Sequence, residues 1–499
     1  MSVLRGTVYL SISRLATLLL NVWAVGRFVE WLGNENWGGI ALMVILWAIC
    51  QTICDLGMTG ATVNSMIKAI SEKNQLTASR LLATHTAISC YLCALLVLIY
   101  AAAFQFGYVR SVGHGLDAMA FYAAAALTGM LVLINNGQYA ALVSHGRYSF
   151  IALTATISAF LNTALSLWLI YAFRQPWGFW VGSFAGMLYV TIANEFKIRK
   201  LGFGSPRVGF FWKEFEDVKA FVKRSSLSNS ATIATGFDRI VLSRVVSQAG
   251  LGIYDQSVRI PETLKSTMPI AHVFPAEIAR VNLVGQEALQ TAYRKLSSAT
   301  MALAMAVLFI PSACGESYIR LIYPAYDPVM TILFALASID ASFALYGSLF
   351  ASFSTATARP HLTAPFMWFM LLGTAFLAVP AALKFGLVGI AAARIVLQLV
   401  QFYPLEWAAK KYLIPNLELA EVVTKKAFIV LFASIFWVIG FRLIHVLGWQ
   451  QNAIAGIGIS SVLSYLYMAC LYGFGAIWLP SRLARVLPRF IQKLAWRPD

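Results

Sequence analysis

Residues 251–272 read LGIYDQSVRIPETLKSTMPIAH and place Asp255, Arg259, Glu262 and Lys265 within eleven residues. On a helix turning about 100° per residue, with Asp255 at zero, Arg259 falls at about +40°, Glu262 at about −20°, Lys265 at about −80° and His272 at about −100°. All five share one face. The chemistry open to such a face is ion pairing, proton or cation exchange, and oxyanion recognition, because a guanidinium binds carboxylate or phosphate through a planar fork and stays charged. Similar stripes recur elsewhere. Ser225, Ser228, Thr232, Thr235, Arg239 and Ser243 align with Asp238 at their flank, as do Thr7, Ser11, Arg14 and Asn21. Arg394, Gln398 and Gln401 follow at i, i+4 and i+7, Gln51 and Asp55 at i and i+4, and Asp340 is the lone acid of its run.

Arg259 has acids at helical spacing on its own segment, so part of that face can neutralise itself, and a buried pair of this kind can serve only to fix helix register. Arg14, Arg239 and Arg394 have no acid three or four residues away. They are expected to line a shared cavity. Arg14, Asn21, Arg239, Arg259, Lys265, Arg394 and Gln398 are therefore the expected substrate-binding residues. Asp55, Asp238, Asp255, Glu262 and Asp340 fit either salt-bridge switches or Na⁺ or H⁺ coupling sites.

The elements that must carry these groups are membrane helices. The chain has 499 residues, 59% hydrophobic and 12% charged, with mean hydropathy +0.72; a soluble domain has about 25% charged residues. Apolar runs of about 20 residues, enough to cross roughly 30 Å of hydrocarbon, begin near residues 7, 37, 81, 117, 148, 177, 225, 251, 296, 328, 361, 385, 425 and 452. The expected fold is an all-α polytopic membrane protein of about 14 transmembrane helices. The runs do not alternate with period two, which excludes a β-barrel. Residues 1–30 carry Arg14 and Asn21 and no convincing cleavage site, so the first segment is read as a retained helix. The cysteines at 50 and 54, 90 and 93, 314 and 470 read as apolar filler. No metal, cofactor or disulfide is expected.

With both termini cytoplasmic, the inner segments hold 26 of the 38 Lys and Arg residues, Lys425 and Lys426 among them, against six outside and six within spans. That bias sets the expected orientation. The net charge of +17 then matches anionic membrane lipids rather than nucleic acid. Residues 206–224 and the tail from 480 onward read as amphipathic interfacial helices. A weak repeat runs at an offset of about 210 residues: LTA at 153 and 362, WGFWVGSFAG (177–186) with FGLVGIAAAR (385–394), and WGGIALM (37–43) with LGIYDQS (251–257). The expected organisation is an N-terminal six-helix lobe (1–200), an amphipathic connection (201–224), a C-terminal six-helix lobe (225–410), two further helices (411–479) and a basic tail (480–499). Duplicated halves are a common plan of secondary transporters, with the site at the repeat interface.

No G-x-x-x-x-G-K-[ST], G-x-S-x-G, H-E-x-x-H or D-x-D motif occurs. The longest outer segments (about 105–117 and 315–327) are too short to house an active site. A transporter without its own ATPase is expected. A cation-coupled multidrug exporter is the alternative; a polysaccharide polymerase or a scaffold of an envelope complex fits less well.

The stretches VGRFVEWLGNENWGGIALM (25–43), DLGMTGATV (55–63), FDRIVLSRVVSQAGLGIYDQSVRIPE (237–262) and PAEIARV (275–281) resemble the polysaccharide (O-antigen) flippase branch of the multidrug/oligosaccharidyl-lipid/polysaccharide exporter superfamily. The resemblance implies two six-helix lobes around a central cavity, with helices thirteen and fourteen beside a lipid portal. It implies movement of undecaprenyl-pyrophosphate-linked oligosaccharide from the inner to the outer leaflet of the bacterial inner membrane by alternating access, for exopolysaccharide, capsule or O-antigen synthesis. The implied partners are that polyprenyl-pyrophosphate oligosaccharide and a polysaccharide polymerase and export complex. A monomer is expected, since the cavity lies within one chain. The resemblance carries functional roles only to Asp238, Arg239 and the charged face at 255–265.

Overall fold

The computed structural model describes residues 2–55, 57–112, 115–203, 208–216, 218–219, 222–223, 234–267, 278, 281, 285–323, 326–357, 359–415, 418–474 and 476–477. The side chains of Arg14 and Asp238, His272 and the tail 480–499 lie outside the described residues. The described chain is helical and contains no strand. It forms two compact units, Met1–Asp255 and Gln256–Asp499.

The first unit holds α1 (Ser2–Asp55), α2 (Met58–Ser71), α3 (Gln75–Gln105), α4 (Leu116–Ser144), α5 (Tyr148–Phe173), α6 (Trp177–Lys200) and α7 (Ala234–Val245). The boundary between the units falls inside α8 (Gln248–Thr267). A 54-residue helix would extend about 80 Å, far beyond one hydrocarbon core. Gly33, at φ 79° and ψ 163°, breaks α1 into the two expected spans, in a conformation open to a residue without Cβ. In this unit α6 packs on α4 and α5, α1 on α5, and α3 on α4. An apolar cluster in this unit joins Met58 and Met66 of α2, Leu81 and Leu82 of α3, Leu142 of α4 and Ile198 of α6. The connection after α6 docks on α3 through an Arg80–Glu214 ion pair at 3.5 Å and the Phe211 N–H donating to Thr84 Oγ1 at 3.1 Å.

The second unit holds α9 (Gln286–Ala304), α10 (Gly315–Ile322), α11 (Pro328–Ala356), α12 (Ala364–Gly373), α13 (Val379–Ala408), α14 (Leu419–Val446) and α15 (Ala453–Gly473). Helix α9 runs into α10 through a π segment (Met305–Phe309) and a 3₁₀ turn (Ile310–Cys314), and α12 runs into α13 through a second π segment (Thr374–Ala378). Pro311 and Pro380 follow these π segments. A proline inside a helix removes one N–H and crowds the carbonyl four residues earlier, and the wider turn accommodates both defects. Gly386, at φ 60° and ψ −139°, divides α13 as Gly33 divides α1.

Nine segments among the described residues are long and apolar enough to cross a membrane. Two of them, Ala16–Asp55 and His361–Leu413, have 40 and 53 residues and carry the glycine breaks, so each supplies two crossings. The other three expected spans fall on α6 and α8, whose polar residues lower their hydropathy, and on α7, of which 12 residues are described.

The repeat has a structural counterpart within the first unit. A Cβ placed on Gly38 would lie 1.9 Å from the Gln248 carbonyl oxygen, and one on Gly252 would lie 2.2 Å from that of Asn34. Shifting 34 to 248 and 38 to 252 exchanges the two contacts, so the WGG and LG landmarks meet reciprocally. Small residues permit this backbone approach between membrane helices. Gly252→Val should therefore lower the melting temperature in detergent by several degrees or abolish folded yield. Gly60→Ala, where nothing lies within 4 Å, should leave it unchanged or slightly raised; tryptophan-fluorescence melts compare the two.

Candidate functional site

In the first unit the acid that opens the charged face of α8 is met by a cation and by an indole donor. Asp255 is 4% exposed; its Oδ1 lies 3.3 Å from Nε of Arg239 on α7, and its Oδ2 accepts from the Trp37 indole N–H at 3.2 Å. Trp37 is itself fully buried and stacks on Phe28, with Phe179 edge-on. The Gly38–Gly252 crossing lies next to these residues in sequence, which is why an indole from one helix reaches a carboxylate on the other. Arg239, without a local acid, finds its counter-charge across a helix interface.

Arg394 behaves in the same way in the second unit. Its Nη2 is 2.7 Å from Asp340 Oδ2 on α11, and its Nη1 is 3.8 Å from Glu262 Oε1 on α8. The other oxygen of Asp340 is buried and accepts no hydrogen bond. One turn along α13, Gln401 donates to Gln398 Oε1 at 2.5 Å, and Gln401 Oε1 is also left without a donor. The structure thus joins Glu262, Asp340 and Arg394, which were singled out separately by sequence. Their partners come from different helices, where the sequence offered pairing only along α8. Arg259 and Lys265 are half-buried on the same helix.

The remaining expected residues are dispersed. Asn21 Oδ1 accepts from Thr163 at 3.4 Å. Asp55 sits at the break between α1 and α2, where Oδ2 accepts from the Gly57 N–H at 3.2 Å and Oδ1 from the Thr59 N–H at 3.1 Å and the Thr59 hydroxyl. That is a helix cap, satisfying the first donors of α2. Asp55 also lines a groove of about 410 Å³ between α1 and α4, together with Trp47, Gln51, Thr52, Asn136 and Tyr139.

One cluster went unseen in the sequence. Lys426 of α14 and Glu406 of α13 are both fully buried and paired, although Lys426 had been counted with the cytoplasmic charges. Lys426 also donates to the Tyr346 hydroxyl at 2.5 Å, Tyr346 donates to Glu406, and Tyr293 donates to Glu406 Oε2 at 3.3 Å. The only available signal was an EW at the end of a long apolar run and a KK at the start of another, which read equally well as interfacial charges.

A family model described as "Polysaccharide biosynthesis protein" matches residues 29–326, more than half of the chain. The chain belongs to this polysaccharide biosynthesis family. Three of the four stretches that carried the resemblance lie wholly inside the matched range, and the fourth begins just before it. Among solved structures, the family member described here is similar to the lipid II flippase MurJ in an inward closed conformation, at TM-score 0.67 and 15% identity over 93% of this chain and 99% of that one. It is similar to an inward-facing MATE multidrug resistance transporter of the MOP superfamily, at TM-score 0.61 and 17% identity over 81% and 99%. A third similar structure is a MOP superfamily transporter from Pyrococcus furiosus, at TM-score 0.60 and 16% identity over 82% and 96%. No curated protein matches the sequence. At these identities the likeness establishes the fold. This polysaccharide biosynthesis protein is a multi-pass membrane protein with the fold of the MOP transporters.

The buried Lys426–Glu406 pair makes a stability prediction. Removing one member of a fully buried pair costs about 3–5 kcal/mol, whereas replacing both with apolar residues of similar size can be neutral. Lys426→Met and Glu406→Leu should each melt well below the wild type, and the double variant should regain most of the loss in the same detergent melt.

Proposed function

We propose that this protein moves polyprenyl-pyrophosphate-linked oligosaccharide from the cytoplasmic to the outer leaflet of the bacterial inner membrane, with both termini cytoplasmic. The observation that carries this reading is the match to a polysaccharide biosynthesis family on a chain with a transporter's fold. A task suited to a many-helix membrane member of such a family is carrying an amphiphilic sugar intermediate past the bilayer. The guanidinium groups of Arg239, which is buried, and Arg394, which is partly exposed, support the reading, since each is a planar fork suited to binding an oxyanion bidentately.

Both arginines are paired with carboxylates in the present conformation. A pyrophosphate therefore binds by exchange, displacing Asp255 or Asp340 from the guanidinium. Exchange of one buried oxyanion for another avoids leaving a bare buried charge, whose cost would otherwise oppose loading. The released carboxylates are then the groups available to take up H⁺ or Na⁺, which links substrate loading to an ion gradient.

The test is transport in proteoliposomes with a fluorescent undecaprenyl-pyrophosphate oligosaccharide and an imposed H⁺ or Na⁺ gradient. The wild type should move the lipid between leaflets. Arg394→Gln/Asp340→Asn, which removes both charges while keeping hydrogen-bonding shapes, should melt near the wild type and lose transport by at least tenfold. Normal transport by that variant would assign Arg394 a purely structural role, and an inert wild type would favour drug export.

A further inference from the structure

The groove between α1 and α4 carries a second recognition element. Its residues form two helical stripes: Trp47, Gln51 and Asp55 at i, i+4 and i+8 on α1, and Val132, Asn136 and Tyr139 at i, i+4 and i+7 on α4. Asn136 makes no hydrogen bond to any other described residue. The indole N–H of Trp47 and Oε1 of Gln51 are buried polar atoms without a partner. Buried polar groups are nearly always satisfied by protein, water or ligand, so this wall is prepared for a polar guest.

The charge pattern selects the kind of guest. No lysine or arginine is among the described residues that line the groove, so an anion would meet no counter-charge there. A bare cation is disfavoured because the one acid among the lining residues, Asp55, already accepts three N–H or O–H donors, and no second carboxylate is among the described lining residues to replace a cation's water shell. What remains is a neutral molecule rich in hydroxyls. The Gln51 Oε1 offers an acceptor, its Nε2 already donating to the Gly129 carbonyl, the Asn136 amide offers both a donor and an acceptor, the Asp55 oxygens keep lone pairs for hydroxyl donors, and the electron-rich faces of Trp47 and Tyr139 suit C–H-rich ring surfaces. A volume of about 410 Å³ lies within the range of small-molecule sites, roughly 300–1,000 Å³.

We propose that this groove is a sugar subsite, holding a neutral pyranose of the lipid-linked substrate. The proposal rests on the reading of the protein as a lipid-linked oligosaccharide transporter. On the topology of that reading, the groove lies in the cytoplasmic halves of α1 and α4, where the sugar enters. The subsite reads sugar identity and contributes nothing to pyrophosphate binding.

The test measures affinities of the full chain in nanodiscs, free of glycoside detergents, for undecaprenyl pyrophosphate and for its glucosyl- and galactosyl-linked forms. The wild type should bind at least one glycosylated lipid about tenfold tighter than the bare lipid. Asn136→Ala, with an unchanged melting temperature, should lose most of that advantage, since a neutral hydrogen bond carries up to about a tenfold effect, and should bind the bare lipid as the wild type does. If the wild type binds bare and glycosylated lipids alike, or the variant weakens both equally, the sugar subsite is overturned while the transporter reading survives. Binding to none of the three lipids would overturn the lipid-linked reading and the subsite with it.

Discussion

A charged group taken out of water inside a membrane protein must find its counter-charge, and on these helices the counter-charge comes from a different helix. Asp255 meets Arg239 and Trp37, Arg394 meets Asp340 and Glu262, and Lys426 meets Glu406 and two tyrosines. An ionisable residue at the centre of a membrane helix costs at least about 2.5–3.5 kcal/mol on insertion scales. The pair recovers that cost only when both members sit in register. Each ion pair therefore specifies the rotation and height of the helices that carry it.

The small residues make such pairing reachable. Trp37 meets Asp255 because Gly38 and Gly252 let two backbones touch. A larger residue at either glycine would move the indole from the carboxylate, leaving an uncompensated acid at a buried interface. Packing and electrostatics are thus one constraint seen from two sides. The irregular turns belong to the same economy of space: Gly33 and Gly386 fold over-long helices into two crossings each, and π segments beside Pro311 and Pro380 keep the helical runs continuous past the prolines.

The paired arginines also change how a transporter of this fold would work. A row of free cations would hold a pyrophosphate tightly and release it slowly. Cations already matched by carboxylates exchange partners instead, so binding strength is moderated and the carboxylates gain a second state. Fully buried Lys426 and Glu406 differ, because tyrosine hydroxyls complete their environment and leave little room for a substrate to compete. That contrast separates a pair suited to exchange from a pair suited to holding α13 and α14 together.

Composition and hydropathy by themselves determined that this chain is an all-helical membrane protein, because spans of about 20 apolar residues have one solution in a bilayer. Local spacing also found the polar faces: the charges of α8, the Arg394–Gln398–Gln401 stripe, and Gln51 with Asp55. It revealed the repeat landmarks, whose reciprocal contact the structure shows. Partnership was beyond it. Arg239 and Arg394 looked unpaired because helical spacing reports only neighbours on one helix, and their acids lie 16 and 54 residues away. Lys426 and Glu406 looked interfacial because a charge at the end of an apolar run has the same sequence signature whether it faces water or a buried tyrosine. Asn136 and Tyr139 gave no signal until α1 packed beside α4. Which face a helix presents is written along the chain, but what meets that face is decided only when the helices pack.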